Sequence, residues 1–216
     1  MALMRREALA KVEGHLGTGL GHCPLPLAPG LASLFPDGAL RRGSTVSIGA
    51  GVAATSLALV LLSGPSAAGS WCAVVGVPDL GLVAAAQFGV DLGRLALVPS
   101  PGPKWLTAVS ALLEGFDVVV VHPPGPVREA DARNLAARSR EQGSVLAVLA
   151  CPSWPARPDI GLEVAAGTWR GLEKGFGYLA GRELEVVVSG RGGAARPRRG
   201  RLSLGEPADL GPAKAY

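Results

Sequence analysis

Apolar residues recur along this chain in short runs, and the runs alternate between two periods. Ser44–Gly49 (STVSIG), Trp71–Gly76 (WCAVVG), Asp117–Val121 (DVVVV) and Ser144–Ala150 (SVLAVLA) are near-continuous apolar stretches of strand length, and Leu95–Val98 is a shorter one. Such stretches suit central parallel strands, which are buried on both faces. Between them lie segments of helical character: Thr55–Leu62, Gly81–Phe88 stopped by Gly89, Trp105–Leu113 ended near Gly115, and Val127–Gln142. The last is the clearest, with charges on one side, Leu135 and Ala137 on another, and Gly143 at its C-terminus. The repetition predicts an α/β fold, an open, mostly parallel sheet flanked by helices with right-handed crossovers.

The pattern changes at both ends. After Cys151, the short segments Ile160–Val164, Gly167–Leu172, Leu184–Ser189 and Arg201–Leu204 are separated by Gly, Pro and Arg. They predict antiparallel strands that extend the sheet. Before Leu31, Met4–Leu16 has the spacing of a short amphipathic helix, and Gly17–Gly30 is turn-rich. The expected organisation is an N-terminal helix and linker over residues 1–30, a core over 31–204 and a loose tail over 205–216.

Composition narrows the class. Of 216 residues, 48% are apolar and 18% charged, which excludes a disordered tail protein and supplies a sizeable core. Aromatics are 5%, so that core must be Ala, Val and Leu. Gly43–Pro78 has no charged residue, and Gly43–Ser63 is about as long as a membrane span. Gly49, Gly51 and Gly64-Pro65 interrupt it, so strand, loop and buried helix are expected rather than a span. Arg5 and Arg6 are not followed by the apolar region of a secretion signal. Cys23, Cys72 and Cys151 are odd in number and widely spaced, which suits a reducing cytoplasm better than disulfides or zinc. The net charge of +4 says little by itself.

The order of the pieces carries a resemblance. WCAVVG, a helix, GVDLGRLALV (Gly89–Val98), another helix and FDVVVV (Phe116–Val121) resemble the corresponding run of the RecA-like ATPase core. LRRGSTVSI (Leu40–Ile48) resembles the approach to that family's P-loop, and Thr55-Ser-Leu-Ala-Leu59 the helix after it. The resemblance implies a RecA-like sheet over roughly Leu31 to Leu204. It also implies a nucleotide site at the C-terminal ends of the strands, and there the chain departs from the family. A P-loop needs a lysine and a hydroxyl after its glycines. Here the loop reads Ile48-Gly49-Ala50-Gly51-Val52-Ala53-Ala54-Thr55, with Ala54 at the lysine position and only Thr55 or Ser56 left as a hydroxyl. His122 stands where the magnesium-binding aspartate should be, and imidazole suits magnesium poorly. Gly76-Val77-Pro78 stands where the water-activating acid should be, with Asp79 beside it. A relic nucleotide loop of Gly49, Gly51, Ala54, Thr55, Ser56 and His122 is therefore expected. It should not hydrolyse ATP and needs no cofactor or metal, although a residual nucleotide contact stays open. A divergent hydrolase using Asp79 or Asp117 is the rival, and Asp117 should lie at the wrong end of its strand.

The connections Pro123–Glu129 and Pro152–Asp159 are short where RecA carries long DNA-binding loops. Size, the LRRG approach, the WCAVVG…PDLGL segment and the basic C-terminal region resemble the ImuA-type accessory proteins of the bacterial mutasome. This resemblance implies a role in damage-induced mutagenesis and translesion synthesis. The implied partners are an inactive Y-family polymerase homologue and an error-prone polymerase, in the cytoplasm or at the nucleoid. Arg191, Arg196, Arg198, Arg199 and Arg201 lie in a stretch without acidic residues, read as a loop between two strands. Contact with DNA phosphates, contact with an acidic partner and a merely solvated hairpin tip all fit it. A scaffold without any nucleic-acid role is thus a further alternative. Trp154, among prolines in a loop, is a candidate interface anchor. His122 reads better as a strand-end cap than as a general base.

Overall fold

A computed structural model describes residues 23–51, 53–170 and 181–205. The expected helix over Met4–Leu16 and the tail beyond residue 205 lie outside them. The chain-order elements are β1 (Leu25–Pro26), α1 (Pro29–Ala32), β2 (Ala39–Leu40), β3 (Thr45–Ile48), α2 (Ala54–Ala67), β4 (Cys72–Val75), α3 (Leu82–Gln87) and β5 (Leu95–Val98). They continue with α4 (Trp105–Gly115), β6 (Val118–Val121), α5 (Glu129–Gln142), β7 (Val145–Leu149), β8 (Ile160–Arg170), β9 (Gly181–Gly190) and β10 (Arg198–Leu204).

Eight strands form one sheet in the order β10-β9-β8-β3-β7-β6-β4-β5. The strands from β3 to β8 pair in parallel, whereas β9 and β10 are antiparallel additions at one edge. The runs CAVV, VVVV and VLAVL are buried throughout, because helices cover both faces. Side chains alternate between the two faces as the strand period requires. Val74, Val118, Val120, Ala147 and Ile48 meet α1, α2 and α3, while Val75, Val119, Val121, Leu146 and Val148 meet α4 and α5. The second helical layer stops at β7. Beyond it the same sheet face presents Ser47, Gly161, Glu163 and Ser189, whose small or polar side chains need no cover.

Three expectations change in three dimensions. Gly64-Pro65 does not end the second helix, since α2 runs on to Ala67. Gly64 serves close packing: a Cβ there would lie 2.6 Å from the Pro26 carbonyl oxygen and 2.7 Å from Leu27. Helix α2 is buried almost all round, which explains its apolar sequence without a bilayer. No helix among the described residues is long and apolar enough to cross a membrane. Residues 25–30, expected in a linker, are also packed. Leu25 pairs with Leu40 across β1–β2, and Leu25, Leu27 and Ala28 are buried in the main core. Finally, the two strand segments around Val164 and Thr168 are one strand, β8, which passes a bulge between Val164 and Ala166. Residues 171–180 lie outside the described chain.

The N-terminal ends of the parallel strands are held by two carboxylates. Asp117, just before β6, accepts from the Arg42 guanidinium at 2.7 Å and from the Trp71 backbone N–H at 2.9 Å. Arg42 also donates to the Cys23 carbonyl at 3.1 Å. Asp159, just before β8, accepts from both the backbone N–H and the hydroxyl of Thr45 at 2.8 Å. Removing one partner of a buried ion pair leaves the other charge without compensation. Asp117→Ala should therefore lower the unfolding free energy by about 3–5 kcal/mol in urea titration. A variant as stable as the parent would show that the clamp is dispensable.

Candidate functional site

Strands β3, β4, β6 and β7 end together on the opposite edge of the sheet, where an open α/β fold places its ligands. The loop after β3 turns at Gly49 and enters α2 at Ala54. Its geometry differs from a phosphate cradle. The Gly49 N–H is spent on the Leu162 carbonyl at 2.8 Å, and the Ala54 N–H on the Gly51 carbonyl at 3.1 Å. The helix has no side-chain N-cap, because Ala53 precedes it. Ala53 and Ala54 are 2% and 6% exposed and belong to the main core, so a buried methyl stands where a lysine would rise toward phosphate. Thr55 is exposed and Ser56 half-buried.

His122 closes the end of β6. Its backbone N–H donates to the Val75 carbonyl at 2.9 Å, and its ring Nδ1 lies 2.9 Å from the Leu149 carbonyl oxygen. A carbonyl only accepts, so Nδ1 is the donor in this bond. The ring thus ties β6 to β7, as a strand-end cap does. Beside it, Ala150 has φ +49 and donates its N–H to the Ile48 carbonyl at 2.8 Å. A non-glycine residue in the left-handed region stores about 1–2 kcal/mol of strain, so this edge is held by its surroundings.

Gly76 ends β4 with φ +79, and a Cβ on it would lie 2.1 Å from the His122 carbonyl oxygen. The position that resembles the water-activating acid can therefore carry no side chain without separating β4 from β6. Asp79 is exposed in the following turn. Asp117, the other candidate metal ligand, is at the far edge and committed to Arg42, so the structure removes it from this site. One carboxylate escaped the sequence reading: Glu163, whose Cγ would lie 3.4 Å from a Cβ on Gly49. Only the parallel pairing of β3 with β8 brings it there. Among the described residues no group of three His, Cys, Asp or Glu could hold a metal ion. A concavity of about 550 Å³ lies elsewhere, between α4 and α5, lined by Thr107, Ser110, Asn134 and Arg138.

The other candidates separate. Trp154 is half-buried and packs on the apolar cluster shared by α4 and α5, so only part of it is offered to a partner. The arginines do not share one loop. Arg198, Arg199 and Arg201 lie on β10, where Arg199 and Arg201 alternate with Gly200, Leu202 and Leu204 and Arg198 shares the face of the latter; of the five, Arg191 and Arg196 are in the connection. Gly200, which suggested a turn, is needed for packing, because a Cβ there would meet Leu34 at 2.5 Å. Arg198 donates to the Phe35 carbonyl at 2.9 Å, and Arg199 lies 3.7 Å from Glu185. Cys72 is buried and its thiol is pushed up to about 12, by burial first and by the charge of Asp117 second. Cys23 is exposed and Cys151 half-buried.

The protein-family description "MT3502 N-terminal domain" matches residues 33–156, more than half of the chain. The uncharacterized protein Rv3395c of Mycobacterium tuberculosis is 43% identical over 96 residues, which are 44% of this chain and 47% of that one. The chain thus spans about half the length of that relative. Among solved structures, the RadB recombinase superposes with a TM-score of 0.54 over 80% of this chain and 91% of its own, at 14% identity. At that identity the likeness concerns the fold, which is RecA-like.

Gly76→Ala adds a clash to a left-handed backbone and should cost about 2–5 kcal/mol in chemical unfolding. A cost below 1 kcal/mol would mean that β4 and β6 yield easily. Cys72 should resist a thiol reagent at pH 8 in the native protein, whereas Cys23 reacts. Its raised pKa also sets a sign. Below about pH 9 both states keep the proton and stability is unaffected. Between about 9 and 12 only the unfolded chain ionises, so stability falls as pH rises. A Cys72→Ser variant that shows the same alkaline loss would assign it to other groups.

Proposed function

We propose, for a chain that belongs to the MT3502 N-terminal domain family, a non-catalytic role as a RecA-like accessory protein in DNA repair. The observation that carries the reading is the C-terminal edge of the sheet. Ala54 is packed into the core, His122 is tied to Leu149, and Gly76 is closed over by the His122 carbonyl. Each stands where a nucleotide hydrolase of this fold would hold a charge. A lysine and metal-bound carboxylates stabilise the charge of a transferring phosphoryl group, and without them that stabilisation has no source. The fold then serves as a shaped surface for protein and DNA contact.

The finer part of the proposal follows the ImuA-type resemblance. The protein would act in damage-induced mutagenesis and translesion synthesis, beside a Y-family polymerase homologue and an error-prone polymerase. Its retained strand-end edge, with half-buried Trp154 at the rim, offers the protein contact. Pull-down with the Y-family homologue tests this directly, and binding should weaken when Trp154 becomes Ala.

Glu163 favours a second reading, a divergent nucleotide hydrolase that draws on Glu163 and Asp79. Magnesium-dependent ATP turnover separates the two. The purified protein should release phosphate no faster than buffer. Sustained turnover lost in a Glu163→Gln or Thr55→Ala variant would refute the non-catalytic role.

A further inference from the structure

The N-terminal edge of the sheet, opposite the relic loop, gathers arginines from four distant segments. Arg41 precedes β3, Arg140 ends α5 before β7, Arg157 precedes β8, and Arg191 and Arg196 lie between β9 and β10. The fold joins these segments through direct contacts rather than proximity in sequence. A Cβ on Gly43 would lie 3.2 Å from the Arg140 Cα, so the turn before β3 touches the end of α5. The Thr45–Asp159 bonds tie that turn to the segment before β8. The Arg191 guanidinium donates to the Arg157 carbonyl, and its backbone N–H to the Asp159 carbonyl at 2.9 Å. Gly193 packs on Pro36, and Arg198 reaches the Phe35 carbonyl, which closes the row at β10.

All five arginines are exposed, and none has an ion-pair partner among the described residues. The carboxylates at this edge are committed elsewhere: Asp117 to Arg42 and Trp71, and Asp159 to Thr45. Of the exposed acids nearby, Asp37 follows Pro36, and Glu141 faces the α4–α5 groove. From β7 to β10 is four strand steps, which spans roughly 19 Å at about 4.8 Å per step. That is wider than the major groove, about 12 Å across, so the row can meet phosphates on both sides of it. Residues 191–201 contain no aromatic, which leaves base stacking without a platform beside Arg191 and Arg196.

We propose that this basic edge binds the phosphate backbone of double-stranded DNA. It differs from the hairpin face carrying Arg199 and Arg201, where Glu183 and Glu185 offset the positive charge. It also leaves the relic-loop edge free for a protein partner. The inference rests on the proposed role in DNA repair, but its readout is separate. ATP turnover would overturn the non-catalytic reading and leave this surface standing, whereas absent DNA binding would overturn the surface and leave the absence of turnover intact.

The test is fluorescence anisotropy of a labelled 30-base-pair duplex across a salt series. Each arginine that neutralises a phosphate contributes a log–log slope of about −0.9, so five give a slope near about −4.5. Arg41, Arg157 and Arg196 are exposed and make no side-chain bond among the described residues, so their joint change to Ser should leave the thermal melt unaltered. It should flatten the slope by about 2.7 and weaken binding about tenfold or more at 0.1 M salt. Arg199→Ser with Arg201→Ser should change little. Four results would overturn the proposal: no duplex binding at low salt, an unchanged slope in the triple variant, loss confined to the Arg199/Arg201 variant, or preference for single strands or RNA.

Discussion

One buried carboxylate organises the sheet. Asp117 collects the Arg42 guanidinium and the Trp71 amide, and its own backbone carbonyl accepts from Val145 at 2.8 Å. The starts of β4, β6 and β7 and the turn before β3 are thereby fixed at one level. Parallel strands buried on both faces have no turn between neighbours to set their register. A charged hydrogen-bond hub at their origin supplies that reference, and Asp159 with Thr45 repeats the device one strand further on. With the origins pinned, the other ends of the strands arrive at a common edge.

That common edge has been closed by packing. Resemblance to a nucleotide-binding fold would lead one to look for missing charges. At the positions that resemble such a site, the structure shows close packing. A methyl from Ala54 lies in the core, the His122 ring spans β6 and β7, and a carbonyl occupies the space above Gly76. Restoring one charged residue by substitution would thus have to displace a neighbour, and Gly76 shows this most sharply. Backbone strain at Ala150 on the same edge fits a region whose conformation is imposed by its surroundings.

The two edges of the sheet therefore differ in character. One is shaped by backbone turns and carries the exposed acids Asp79 and Glu163 as well as the exposed Lys104 and Arg128. The other carries exposed arginines, while its Asp117 and Asp159 carboxylates are bonded to Arg42, Trp71 and Thr45. The fold makes this contrast possible because the parallel strands all run in one direction, which puts their starts on one edge and their ends a strand length away on the other.

The sequence by itself determined the alternation of strands and helices and the double burial of Val118–Val121. Each of these is local, because strand and helix periods are written in neighbouring residues. Gly64-Pro65 and Pro197–Gly200 were misleading for the same reason: a glycine required by close packing has the same letter as one required by a turn. Only the tertiary structure decided that α2 continues through Pro65, that Arg198–Leu204 is a strand, that Glu163 reaches Gly49 and that Asp117 belongs to Arg42. It alone brought Arg41, Arg140, Arg157 and Arg191 to one edge, because strand pairing joins segments as far apart as Val46 and Ile160 and no local period encodes which strands become neighbours.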